Sequence, residues 1–332
     1  MAVLDLSRCF GSDSICIKTM EVPECRCPRH LPAVNQNYVF DPNALNQLLL
    51  YLAHPLGDCL YISGPSGCGK TTLVHQAAAR LGWGVEQITL CNKSESVELI
   101  GHTALRHGEL IFEYGPLVKA MLEGEILILN EIDLMSPGDL SALNDVLEGR
   151  PLTVTGNQGE IIMPHPFFRV IATANTRGMG DSSGFYNGAR LLNQAFLDRW
   201  RFMEIDYPAA DTEKKILCGN CRELDETKAD QLIKLAGELR RVGCNTEKAG
   251  VPGLSAPFST RALLRIAAMV CLCPGLGLIR AVDMGFGARL PDIEREYVRR
   301  LCEDIFGHDP NGAAAPKRTR RRRSAALQVR AS

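Results

Sequence analysis

Residues Gly64 to Thr71 read Gly-Pro-Ser-Gly-Cys-Gly-Lys-Thr, a complete G-x-x-x-x-G-K-[ST] run between an apolar stretch at Cys59–Ile62 and a helix-like stretch from Thr72. A strand, a glycine-rich turn and a helix in that order form a phosphate-binding loop, because glycines let backbone N–H groups turn inward around phosphate oxygens. Lys70 then reaches the terminal phosphates and Thr71 can ligate Mg²⁺. The expected contacts with a nucleotide run through Gly64, Pro65, Ser66, Gly67, Cys68, Gly69, Lys70, Thr71 and Thr72. The loop also requires a buried strand before it and a helix after it, which fixes the start of an α/β unit.

At 332 residues, 45% apolar and 23% charged, the chain suffices for one large domain or two ordinary ones. No segment approaches the roughly 18 continuous apolar residues of a membrane span. Met1 to Phe10 mixes acid and base without a long apolar core, so no signal peptide is expected and the expected location is cytoplasmic. Thirteen cysteines, an odd count spread along a nucleotide-binding chain, read as reduced thiols rather than a disulfide framework. The formal net charge of −1 conceals an asymmetry, because every acidic residue precedes residue 317. Residues 1–316 carry −8 and the remainder +7, from Lys317, Arg318, Arg320, Arg321, Arg322, Arg323 and Arg330. Such an arm is expected to be disordered; it either contacts nucleic acid or an acidic surface, or is a solvated terminus without a dedicated partner.

Residues 1–40 are rich in Cys and Pro and poor in periodicity, which predicts an extended arm lying on the core. Asp41-Pro42 opens a helix with an Asp cap, Pro in the first turn, and Leu45, Leu48, Leu49 and Leu52 at helical spacing. After the loop helix come a strand at Val85–Leu90, a helix at Leu117–Leu122, an apolar strand at Ile126–Leu129 and a helix over Ser136–Leu147. Leu152–Val154 and Ile161–Met163 flank Thr-Gly-Asn-Gln-Gly, a hairpin pattern, and further strands are expected at Phe168–Thr173 and Phe202–Ile205. Alternating strands and helices imply a parallel sheet covered on both faces, with its ligand at the carboxyl ends of the strands. From about Asp211 the pattern is helical only, clearest at Ala229–Val242, Thr260–Cys271 and Ile293–Ile305. The expected division is an arm over 1–40, a nucleotide-binding α/β domain over 41–210, a small helical domain over 211–310 and a basic tail over 311–332.

Chemistry concentrates at two strand ends. The run Ile126-Leu-Ile-Leu-Asn130-Glu131 delivers polar groups from an apolar strand to the side of the phosphate loop. Glu131 is the candidate that polarises an attacking water, since phosphoryl transfer needs little beyond a positioned nucleophile and charge stabilisation. The preceding position, normally Asp holding Mg²⁺ through water, is Asn130 here, so a formal charge is missing from the metal's surroundings although Asp133 lies close by. Asn175, after the next apolar strand, is placed to orient water between Glu131 and a terminal phosphate.

These elements in this order resemble the AAA+ ATPases, and within them the MoxR-like branch. The resemblance implies a P-loop NTPase sheet followed by a small all-helical lid, with ATP and Mg²⁺ as cofactors. In it Asn175 corresponds to the sensor-1 residue, Arg199 of Asn193-Gln-Ala-Phe-Leu-Asp-Arg-Trp200 to an arginine finger acting on a neighbouring subunit's site, and Arg261 of Ser259-Thr-Arg261 to the sensor-2 phosphate contact. Gly101–Gly115 resembles the insertion in the second helix of this branch, and the Leu152–Met163 hairpin resembles its hairpin before sensor 1; in the family both project toward the pore or partner face.

A more particular resemblance is to the CobS-like ATPase subunits of aerobic cobaltochelatase. Phe10-Gly-Ser-Asp-Ser14, Met20-Glu-Val-Pro23, His30-Leu-Pro-Ala-Val34, Tyr38-Val-Phe-Asp41, Gly178-Met-Gly-Asp-Ser-Ser-Gly-Phe-Tyr186 and the end near Phe306-Gly307 carry it. It implies a homo-oligomeric, hexameric ring that works with a von Willebrand A-domain partner and moves a chelatase large subunit, which inserts Co²⁺ into a corrin ring. Asn130, the Arg-rich tail and the Cys-rich arm depart from that pattern. Related motors activate other metalloenzymes, and a contrasting expectation is a weakly hydrolysing, nucleotide-gated module that docks on nucleic acid through its tail. Cys25-Arg-Cys27-Pro-Arg-His30, with Cys9 and Cys16 upstream, and Cys218-Gly-Asn-Cys221 have spacings compatible with Zn²⁺, but neither has a second pair at finger spacing and free thiols are the default.

Overall fold

The computed structural model describes residues 1–307 except 13, 26, 182–183 and 244–252. The basic tail, and with it any docking on nucleic acid, lies outside the described residues.

The arm is more regular than its sequence predicts. Strand β1 (Ala2–Asp5), the one-turn helix α1 (Leu6–Phe10) and strand β2 (Thr19–Val22) form a two-stranded antiparallel unit. Leu6, Ile15, Met20 and Val22 are buried in one core with helix α2 (Pro42–Ala53). Four-residue strands are too short to register as periodicity; the burial of alternate residues in Thr19–Val22 becomes visible only once α2 is beneath them. At the start of α2, an Asp41 carboxylate oxygen accepts the Ala44 N–H at 2.8 Å, as its cap position requires.

Strand β3 (Cys59–Ser63) leads through the glycine loop into helix α3 (Lys70–Leu81) and strand β4 (Val85–Thr89). Helix α4 (Ser96–Ile100) is followed by a hairpin, β5 (Gly101–Arg106) with β6 (Glu109–Tyr114), before helix α5 (Pro116–Glu123). The Gly101–Gly115 insertion is thus a hairpin set between two helices. Leu105 and Leu110 at its tip are more than two-thirds exposed, so no helical or core period marks it in the sequence. Strand β7 (Ile126–Asn130) precedes helices α6 (Pro137–Ser141) and α7 (Asn144–Leu147). The single helix expected over Ser136–Leu147 is therefore two short ones, with Ala142 and Leu143 between them. A second hairpin, β8 (Leu152–Val154) with β9 (Glu160–Ile162), follows, and Gly156 in its turn packs on Phe112 of the first. Strand β10 (Arg169–Ala174), helix α8 (Gln194–Leu197) and strand β11 (Trp200–Glu204) complete the α/β part.

The five-stranded sheet is wholly parallel in the order β11-β3-β10-β7-β4. All five residues of both β3 and β7 are buried, as expected for strands covered on both faces. In β7, Ile126 and Ile128 join the core shared with α2 and α3, whereas Leu127 and Leu129 join the opposite core with α5, α6 and α7. The chain leaves β3 to build strands on one side and returns with β11 on the other, so the loop after β3 sits where strand order reverses, the usual ligand position of such sheets. Helices α9 (Ala210–Asn220), α10 (Glu226–Gly243), α11 (Thr260–Leu272), α12 (Leu278–Gly285) and α13 (Asp292–Phe306) form a separate core of their own. No helix among the described residues is long and apolar enough to cross a membrane.

Candidate nucleotide site

The loop after β3 is shaped by what surrounds it. A side chain at Gly64 would collide with the Ile205 carbonyl oxygen. At Gly67, where φ is +74°, an added Cβ would meet the Ser259 Cβ at 2.7 Å and lie 3.5 Å from Arg261 Cβ. The helical lid therefore rests directly on the phosphate loop, and α11 carries Arg261 to it. Among the described residues no hydrogen bond or ion pair engages the exposed Arg261 side chain, whose charge acts on both Lys70 and Glu131.

The buried Lys70 ammonium donates to the carbonyls of Gly64 (2.7 Å) and Pro65 (3.1 Å) and to Asn175 Oδ1 (2.9 Å). Asn175 Nδ2 in turn donates to Glu131 Oε2 at 2.7 Å. One amide thus joins the phosphate lysine to the candidate base. Burial lowers the Lys70 pKa, and the carboxylates of Glu131 and Asp133 partly restore it. Burial pushes the Glu131 carboxyl above its ordinary value and Asp133 adds to the rise, while Lys70 and Arg261 oppose it. Glu131 also holds a left-handed backbone (φ +55°), a conformation that costs a non-glycine residue about 1–3 kcal/mol and concentrates at functional positions.

Asn130 faces the head of α3. Its Oδ1 accepts the Thr71 hydroxyl at 2.8 Å and the Thr173 hydroxyl at 2.9 Å. Asp133, 1% exposed, accepts the Thr176 N–H (3.1 Å) and hydroxyl (2.8 Å) through Oδ2, while its Oδ1 has no hydrogen-bond partner. A hydroxyl and an amide oxygen side by side are oxygen donors of the kind that suits Mg²⁺.

A cleft of about 870 Å³ opens beside the loop between sheet and lid, lined by Gly64, Asn175, Tyr186, Tyr207, Arg240 and Phe258 among others. Tyr207 donates its hydroxyl to the Ser66 carbonyl at 3.1 Å and lies under the Arg240 guanidinium, 4.1 Å from ring centroid to charge. Arg240 pairs through both terminal nitrogens with Glu213, 2% exposed, which also accepts the Thr260 hydroxyl at 2.6 Å. The start of α11 is thereby tied to the phosphate loop through Arg240 and Tyr207.

Arg199 stands apart. Its carbonyl accepts the Cys59 N–H, which puts it at the amino end of β3, across the sheet from the phosphate loop. Its guanidinium binds Glu148 (2.6 Å) and the Ala195 carbonyl, so it contributes nothing to the phosphate site of its own chain. Among the described residues the cysteines are not gathered into a ligand set either. His30 Nδ1 lies 2.8–2.9 Å from both Glu125 oxygens, its Nε2 lies 3.5 Å from Glu86, and no cysteine joins that group among the described residues. Cys221 is buried in the lid core.

Three residues of this site escape the motif pattern, whereas Asp133 stood out beside Asn130. Thr173 sits on a strand already singled out, and its polar side chain in an apolar run was a usable signal. Tyr186 and Tyr207 reach Ser66 from 120 and 141 residues away, a contact that no local pattern encodes.

Comparison with known proteins gives two matches in sequence order. Residues 60–199 match the AAA domain of the dynein-related subfamily, and residues 213–297 match the CbbQ/NirQ/NorQ C-terminal region. The chain is 28% identical over 292 residues to the aerobic cobaltochelatase subunit CobS of a Sinorhizobium species, covering 86% of each chain. It is 28% identical over 293 residues to Protein NorQ of Paracoccus denitrificans, covering 88% of this chain and 98% of that one. It is also 30% identical over 237 residues to Midasin of Dictyostelium discoideum, a match spanning 68% of this chain and 4% of that far longer protein.

Proposed function

We infer that this chain, which belongs to the MoxR-like AAA+ ATPases, hydrolyses ATP at a site shared between neighbouring copies and uses the cycle to remodel a partner complex. The observation that carries the reading is the continuous set Lys70–Asn175–Glu131, a phosphate cation, a neutral amide and a carboxylate joined by bonds of 2.9 and 2.7 Å. Glu131 accepts a proton from the attacking water, Asn175 fixes the orientation of that carboxylate, and Lys70 leaves its loop carbonyls for phosphate oxygens. Thr71, with Asn130 acting through water, would hold Mg²⁺, which neutralises phosphate charge when bound. Arg261 contacts phosphate from the lid. Arg199, remote from its own loop, acts on the neighbour's nucleotide in a ring, as a hexamer would arrange it.

The client follows from resemblance alone. The CobS relationship favours a cobaltochelatase-type role, with a von Willebrand A-domain protein and a chelatase large subunit as partners; the NorQ relationship supports activation of a different metalloenzyme. Asn130 favours a second reading, a module that binds nucleotide and turns it over slowly. Steady-state hydrolysis by the parent and by Glu131→Gln decides the motor: the variant is expected to bind ATP and lose turnover, and hydrolysis at the parent's rate would overturn the assignment. Metal insertion reconstituted with a chelatase large subunit and a von Willebrand A protein, with and without this chain, decides the client.

A further inference from the structure

The peptide plane between Pro65 and Ser66 is held at both ends. Its carbonyl accepts from Lys70 Nζ at 3.1 Å, and its N–H donates to the Tyr186 hydroxyl at 3.2 Å. A peptide unit is rigid, so the two contacts cannot respond independently. When Lys70 turns to phosphate, the carbonyl loses its cation and the plane is free to rotate, and the other end of that plane is Tyr186.

Tyr186 belongs to the segment that carries Arg199. Its own N–H binds the Asp181 carboxylate at 2.7 Å. The ends of this segment are pinned together by the Met179–Leu191 bridge and by the Leu192 N–H on the Gly178 carbonyl at 2.8 Å. Arg190 N–H also binds the carbonyl of Asp133, beside Glu131. Gly178 faces Leu197 of α8 so closely that an added Cβ would lie 2.8 Å from its Cδ2. Asn193 caps α8 by accepting the Ala195 N–H at 2.9 Å, and Arg199 follows two residues after that helix ends. One hydrogen bond joins Ser66 to Tyr186, and covalent continuity and packing lead from Tyr186 to Arg199.

We propose that Tyr186 is a positioning residue through which phosphate occupancy, felt at the Pro65–Ser66 peptide, sets the placement of Arg199 toward the neighbouring subunit. This rests on the reading of the chain as an ATPase with Arg199 acting in trans. Tyr207 grips the Ser66 carbonyl, on the next peptide, and leads into the lid instead, which makes it the natural control.

The test is a double-mutant cycle on the assembled full-length protein, with kcat and ATP affinity measured separately. Tyr186→Phe keeps the ring and removes one neutral hydrogen bond, so it should lower kcat about fivefold and leave ATP affinity within about twofold. Arg199→Lys keeps a charge and is chosen to leave measurable turnover. If Tyr186 acts through Arg199, the double variant turns over no more slowly than Arg199→Lys alone. Tyr207→Phe combined with Arg199→Lys should instead multiply. Multiplicative losses for Tyr186→Phe, an unchanged kcat, or a loss confined to ATP affinity would each overturn the proposal. Absence of hydrolysis in the parent, or an Arg199→Lys variant with the parent's kcat, would overturn the ATPase or trans-finger reading instead. Matching thermal melts for Tyr186→Phe and the parent exclude a folding defect as the source of the loss.

Discussion

Asn175 offers the sharpest perturbation of the site. Its Nδ2 donates to Glu131 at 2.7 Å while its Oδ1 accepts from Lys70 at 2.9 Å. A donor bond to a carboxylate favours its ionised form, whereas burial and then Asp133 push the Glu131 pKa up, opposed by the charges of Lys70 and Arg261. A hydrogen bond to a charged group contributes about 1.5–3 kcal/mol. Asn175→Ala removes that stabilisation of the ionised form and should therefore raise the Glu131 pKa further. Because the base works only when ionised, the acid limb of kcat moves to higher pH. Turnover at neutral pH falls, and raising the pH restores part of it. Without nucleotide Lys70 still has its two carbonyl partners, and it exchanges them for phosphate in parent and variant alike, so ATP affinity should change little. The assay is single-turnover hydrolysis at saturating ATP and Mg²⁺ from about pH 5.5 to 9, with equilibrium ATP binding measured in parallel. An acid limb that stays within about half a unit of the parent's, or a loss of affinity matching the loss of rate, would refute the reasoning.

Asn130→Asp places a carboxylate where Thr71 and Thr173 now donate to an amide oxygen; half-saturating Mg²⁺ in the hydrolysis assay should fall by about tenfold, since one charge-assisted contact adds on the order of 1.4 kcal/mol. Arg199→Ala should leave ATP binding intact and cut hydrolysis by about a thousandfold or more; mixing it with a Lys70→Ala chain should restore turnover at interfaces that pair an intact loop with an intact finger, and failure to recover would argue against a site shared in trans. Glu213→Gln leaves the Arg240 guanidinium short of its buried partner, and breaking such a pair costs about 3–5 kcal/mol, so thermal unfolding should show early loss of the lid. Gly67→Ala strains a backbone at φ +74° and drives a methyl into Ser259, so calorimetry should register weaker ATP binding as the lid is lifted off the loop.

The parts of this molecule that were legible in its sequence are those in which one local pattern fixes both structure and chemistry. Cys59–Ser63 and Ile126–Asn130 are continuous apolar runs because both sheet faces are covered, and each ends in the polar residues that the carboxyl edge of a parallel sheet presents. The Asp41-Pro42 cap is equally local. Where tertiary context decides, the pattern fails. Ser136–Leu147 reads as one amphipathic helix, yet the chain breaks at Ala142-Leu143 while Leu140, Leu143, Val146 and Leu147 all stay in the core with β7. The Gly101–Gly115 hairpin was hidden because its exposed Leu105 and Leu110 follow no core period. The grip of Tyr186 and Tyr207 on Ser66 was hidden for the opposite reason, since an isolated tyrosine carries no spacing at all.

Asn130 takes on a different meaning in that setting. Read along the chain it is a missing charge, a defect in metal binding. In the folded protein the same amide oxygen takes two hydroxyl donors, while Asp133 sits 1% exposed nearby and already pushes the Glu131 carboxyl upward. An aspartate at 130 would put a third carboxylate into a region where Asp133 is buried and Glu131 half-buried, and like charges in such a place raise one another's pKa. The proton would then be held more tightly by Glu131, the group that must be free to accept one. Asparagine keeps the Thr71 and Thr173 bonds without that repulsion, so what the site gives up in attraction for Mg²⁺ it retains as an ionised base. The two effects have opposite signs on turnover at low pH, and Asn130→Asp should therefore quicken hydrolysis only where Mg²⁺ is limiting and the pH is high.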